Sequence, residues 1–298
     1  MGDNPLYDRR NSEIMSNEKI LRDHLIAYDE MRPFSKQKGK LAKGILFRED
    51  VDDYGRKIFT KVGENTVVLG GAIAALERLA GVESSFRPNT LNHILNVNDG
   101  HEYHINSTPI ALFGCGSGGA PLDFGNVYDP DVKQNNVAGL LPMMVSSSGN
   151  LTGTDADKYM MKTTIQTPDM TTLNCWYLKE FDIEPTITSL WKDAASEDED
   201  GSEISTDISD SESENGVESF VEFKLVLRDQ DVRSYYEAMG MLSQARYNSI
   251  GLYLGEKVNL GDHDDYVNVS LFSVLNIENE ALAKRKTITY AYRVYALI

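Results

Sequence analysis

At 298 residues the chain is long enough to bury one large core or two of ordinary size. A formal net charge of -17 opposes general binding to a phosphate backbone, which needs clustered Lys and Arg to release condensed counterions, so no sequence-specific nucleic-acid contact is expected. No apolar run approaches the roughly 18 residues of a membrane span and the start MGDNPLYDRRNSEIM has no apolar signal core, so a soluble protein made in a cytosol, without membrane contact, is expected.

The first residues are polar and turn-prone and read as an arm that orders against something else. Asn17 then reads as a helix N-cap, with Ile20, Leu21, His24, Leu25 and Tyr28 at helical spacing up to Pro33. Residues 44–47 and 57–60 read as two strands joined through Asp52, Asp53, Tyr54 and Gly55. A further strand over 66–69 leads into a helix opened by Gly70 and Gly71 and running to Ala80, with Ile73, Leu76 and Leu79 predicted on its inner side.

From 91 to 113 the pattern predicts short extended pieces, with a turn at Asn98, Asp99 and Gly100 and a buried strand over 109–113. A glycine-rich loop is predicted over 114–125, followed by a long irregular section and a strand pair over 162–166 and 175–181. Residues 193–216 hold ten carboxylates and no Lys or Arg, which leaves -7 for the remainder of the chain. Such a stretch lacks the apolar surface to offset the entropy of ordering.

Beyond it, Val221, Phe223, Leu225 and Leu227 alternate with Glu222, Lys224 and Val226 as a strand with one buried face. Asp229 or Asp231 is predicted to cap a helix reaching about Arg246, with Tyr235, Ala238, Met239, Leu242 and Ala245 on one side. Strands are predicted over 249–254, 267–272 and 287–298, the last carrying large side chains on both faces and so requiring cover. The fold class expected is α+β: mostly antiparallel β-sheet with about three helices and an acidic disordered insertion. The domains read as an N-terminal arm over 1–20, an α+β lobe over 21–192, the acidic flexible insertion over 193–216 and a β-rich lobe with one helix over 217–298.

Every pattern suggesting chemistry fails a structural requirement. Gly114, Cys115, Gly116, Ser117, Gly118 and Gly119 satisfy G-x-G-x-x-G after a plausible strand, but Pro121, Asp123, Gly125 and Pro130 break the helix that would receive a pyrophosphate. The bland reading is a loop whose glycines allow close approach of a neighbouring chain. His93, His101 and His104 lie near Glu102, yet H-E-Y-H is one residue short of the zinc-binding helical spacing, and surface or interface histidines are favoured. Asp50, Asp52, Asp53 and Gly55 lack the later ligands of a calcium loop, and Asp262, His263 and Asp264 fit a turn. Cys115 and Cys175 stand far apart and read as reduced, partly buried thiols. No catalytic, cofactor-binding or metal-binding residue is therefore assigned, and no cofactor is expected. The tyrosines of the last third, including Tyr290, Tyr292 and Tyr295, are of a type enriched at interfaces, with core packing as the competing explanation.

Four segments resemble a group of tailed-phage structural proteins: IALFGCGSGGAPLDFGNVYDP, CWYLKEFDIEPTITSLWKD, FVEFKLVLRDQDVRSYYEAMGMLSQARYNSIGLYLG and the tail TITYAYRVYALI. The resemblance implies a virion component without catalysis, in the neck, tail or baseplate, assembled in the host cytoplasm. It further implies self-association into a homo-oligomer and contact with other virion structural proteins. A capsid-associated protein and a nucleotide-binding protein using the glycine-rich loop are the alternatives.

Overall fold

The computed structural model describes residues 42–51, 57–80, 90–97, 108–122, 125–153, 155–192, 216–261, 263–282 and 287–296. All of them belong to the unit Ala42–Ile298. The predicted arm, the helix after Asn17, the turn at Asp52 to Gly55, the turn after Asn98 and the acidic run 193–215 lie outside the described residues.

The α+β expectation holds: the described chain is mostly antiparallel sheet with three helices. One sheet contains β1 (Ala42–Val51), β2 (Lys57–Glu64), β9 (Thr186–Lys192), β10 (Gly216–Leu227) and β13 (Ile288–Ala296), in the order β2-β1-β13-β10-β9. The other runs β3-β12-β11-β4-β8-β6, from β3 (Thr66–Val67), β12 (Asp264–Ala281), β11 (Arg246–Asn259), β4 (Ile110–Gly116), β8 (Thr172–Glu180) and β6 (Met144–Ser146). Beside it, β5 (Leu140–Leu141) pairs with β4, and β7 (Tyr159–Gln166) pairs with β8. Strands from before and after the acidic run pair with one another in both sheets, so the two stretches of chain share one core.

That core lies between the sheets. Leu46, Phe223, Leu225, Tyr290 and Tyr292 of the first sheet join Phe113, Tyr247, Ile250, Leu252 and Leu275 of the second. Hydroxyls bridge the layers, Tyr247 to Tyr290 at 2.8 Å and Ser273 to Tyr292 at 2.9 Å, so each buried phenol has the partner that its desolvation demands. The far face of the second sheet is also buried, by Val68, Leu91, Leu112, Val137, Met161, Leu178 and Tyr253. Burial on both faces explains why β11 and β12 read as near-continuous apolar runs rather than clean alternation.

β13 is central in its sheet, paired with β1 on one side and β10 on the other. Its tyrosines Tyr290, Tyr292 and Tyr295 are buried within the chain, as are Tyr236, Tyr247, Tyr253 and Tyr266. Core packing therefore accounts for these seven. On the outer face of the same sheet the Arg293 guanidinium lies 4.8 Å from the Phe220 ring, 5.0 Å from Phe47 and 5.4 Å from Phe59, and its Nε donates to Glu222 at 2.8 Å. The rings cover the cation's faces while the carboxylate satisfies its edge.

Four local expectations are corrected. Residues 91–95 form a short helix, α2 (Leu91–Leu95), because the Thr90 hydroxyl accepts from the His93 N–H and Asn96 ends the turn at positive φ. The long helix expected up to Arg246 is only α3 (Arg233–Ala238). Gly240, at φ +69°, turns the chain there, and β11 begins at Arg246. Neither Asp229 nor Asp231 caps α3; its N-cap is Val232, at φ 62°, without a side-chain bond.

The fourth correction concerns α1 (Leu69–Ala80). A Cβ on Gly71 would stand 2.1 Å from the Phe272 carbonyl oxygen, so glycine lets the helix settle directly on the β12 backbone. Gly71 and Ala74 face the sheet, and Ile73 and Leu76 are turned outward instead of inward.

Candidate functional site

The glycine run is built into the second sheet. Gly114, Cys115 and Gly116 end β4, where a loop was expected, and pair with Gly251, Ile250 and Ser249 of β11. A Cβ on Gly116 would lie 2.3 Å from the Ala138 carbonyl oxygen, and one on Gly119 would lie 2.3 Å from that of Asn248. The next donors are also engaged: Ser117 N–H to Gly139 O and Gly118 N–H to Ala138 O, both 2.9 Å, and Gly119 N–H to Asn248 Oδ1 at 2.7 Å. A phosphate-binding loop points successive free N–H groups at its anion. Here these donors are turned onto the protein, and the glycines serve close backbone approach.

Three asparagines, not singled out in the sequence, hold this segment. Asn248 Nδ2 donates to Ala120 O at 3.2 Å, Asn276 Nδ2 to Tyr128 O at 2.8 Å and Asn279 Nδ2 to Pro121 O at 2.8 Å. Asn has low strand propensity, so its repeated appearance along β11 and β12 is the signal that could have marked side-chain clamps.

A buried polar cluster lies at the end of β8. Lys179 and Asp231 are both fully buried, with Nζ 2.8 Å from Oδ2. Asp231 also accepts from the Tyr159 hydroxyl at 2.5 Å and from the Arg228 N–H at 2.9 Å, while Lys179 donates to Val226 O at 3.1 Å. Burial, reinforced by Asp231, raises the Tyr159 phenol well above its ordinary range and keeps it a proton donor. Asp231 was expected at a helix cap; the structure spends it on this ion pair.

Above the cluster opens a cleft of about 560 Å³ formed by β6, the 148–156 loop and the turn at Arg228, Asp229 and Gln230. In its wall the Arg228 guanidinium grips Asp155 with both Nε and an Nη, and nearby in sequence Lys158 holds Asp182 at 3.1 Å. The arrangement fastens the 148–156 loop and the 228–232 turn to β8.

Among the described residues the remaining candidates stand apart. His93 is exposed on α2, and His263 and Asp264 are exposed at the β11–β12 turn. His101, His104 and Asp262 lie outside the described residues. Asp50 pairs with Arg48 at 3.5 Å. Among the described residues no group of three or more His, Cys, Asp or Glu is placed to hold a metal ion. Cys115 and Cys175 are buried free thiols, and burial pushes the Cys175 thiol up to about 11. Among the described residues no helix is long and apolar enough to cross a membrane. No known family, curated protein or solved structure matches the chain.

Proposed function

We propose that the chain is a non-enzymatic structural subunit of a tailed-phage virion, in the neck, tail or baseplate, acting through self-association and contacts with other virion proteins. The observation that carries this reading is how the chain's polar chemistry is spent. The glycine-run donors, the asparagines and the Lys179–Asp231–Tyr159 cluster all tie loops to sheets, as expected of a body that must hold its shape under contact. The four segments that resemble phage structural proteins coincide with β4 and its clamped loop, β8 to β9, β10 to β11, and β13, and so include the centres of both sheets.

Mass-resolved size determination of the purified protein, alone and with proteins of the particle, tests the reading. A defined oligomer or a stable complex is expected; a monomer that ignores every particle protein overturns it. The competing nucleotide-binding reading predicts that millimolar ATP raises Tm by mass action. The engaged glycine-run donors predict no shift.

A further inference from the structure

We infer that α1 is a self-contact, pairing antiparallel about a two-fold axis with α1 of a second copy. This deepens the assembly reading above and rests on it. The outward stripe of α1 is apolar: Leu69 is 54% exposed, Ile73 38% and Leu76 43%. The Leu69 N–H donates to Val132 O, which brings Val132, 52% exposed, alongside. A helix lying on a sheet normally turns its polar face to water. Here the small residues Gly71 and Ala74 meet the sheet and the large aliphatic ones face out.

Three properties favour a second copy as the occupant. The stripe is self-complementary, since an antiparallel pairing that sets Leu69 opposite Leu76 of the second copy also sets Ile73 opposite the small Ala72, and each contact occurs twice. It is electrically neutral: residues 69–80 contain one Glu and one Arg, so like charges do not accumulate there although the whole chain carries -17. The antiparallel pairing also aligns the two helix dipoles favourably and brings Glu77 beside the first turn of the other helix, which has no acidic residue of its own.

Four half-exposed aliphatic side chains fall well short of the roughly 800 Å² per partner of a stand-alone interface. The pairing is therefore weak in isolation and gains strength by repetition in an assembly. The test uses the full chain with Ala72→Cys, compared with Thr60→Cys on exposed β2; Cys115 and Cys175 are buried and stay silent during brief oxidation. A disulfide dimer is expected to form at least tenfold faster at position 72 than at position 60, and Leu76→Glu or Ile73→Lys in the Ala72→Cys background should remove that advantage. Equal rates at the two positions, or an advantage untouched by both charged substitutions, overturn the inference. If position 72 shows no advantage over position 60 while the chain still joins a defined complex with particle proteins, the helix contact is wrong and the assembly function stands. Loss of all self-association and of every particle contact in the unsubstituted chain removes both.

Discussion

Replacing Gly116 by alanine puts a methyl group against a backbone carbonyl that belongs to the packed 137–141 segment. Overpacking of this kind costs about 1–3 kcal/mol, and urea denaturation should show the loss. Lys179→Met leaves the Asp231 carboxylate buried without its counter-charge, for which about 3–5 kcal/mol of destabilisation is expected. Adding Asp231→Asn should recover part of that, because the unpaired charge disappears while the amide oxygen still accepts from one of the two donors, Tyr159 or Arg228, that Asp231 meets with separate oxygens; a double-mutant cycle with additive losses contradicts this account. Burial pushes the Glu222 carboxyl up, but its bonds to Arg293 and Lys224 outweigh burial and hold its pKa below the usual carboxylate range. Its stabilising contribution is thus complete above the unfolded value of about 4.3 and is lost as pH falls through the lower folded value. Glu222→Gln should flatten the acid side of the stability curve, measured as Tm between neutral pH and about pH 3.

Single elements were legible where one period dominated. The alternation from Val221 to Leu227 predicts β10 with its buried face on Phe223 and Leu225, and the apolar run 109–113 predicts β4. Two stretches misled. Gly71 and Ala74 carry no hydrophobic signal strong enough to mark an inner face, yet their small size brings α1 onto β12 and reverses the side expected for Ile73 and Leu76. After α3, helical spacing of Tyr235, Met239 and Leu242 is overruled by Gly240, and the residues from Arg246 are captured by β12 and β4. The cluster at Lys179 left no trace, because Tyr159, Lys179 and Asp231 are brought together by pairings far apart in sequence. Gly240→Val should confirm the turn's role. It forces a β-branched residue to φ +69° and should lower Tm, whereas Gly149→Ala, with nothing near its Cβ, should leave Tm unchanged.

At the scale of the whole molecule, the acidic run joins strands that are already neighbours. Lys192 pairs with Gly216 across β9 and β10, so the chain on either side of residues 193–215 meets without their help. A protein lacking residues 197–214 should therefore fold with an unchanged circular dichroism spectrum and a Tm within a few degrees, since shortening a connection between paired ends costs little entropy. Failure to fold would show that the run carries structure the two sheets need.

The same connection has an electrostatic consequence. β9 is the outer strand of its sheet among the described residues, with Ile187 80% exposed, and ten carboxylates leave from its end. By sequence, two molecules meeting along that border would each contribute those ten carboxylates, and 0.15 M salt screens such repulsion beyond about 8 Å. Light scattering measured against salt concentration should therefore rise with ionic strength, because screening lowers the barrier to contact along β9.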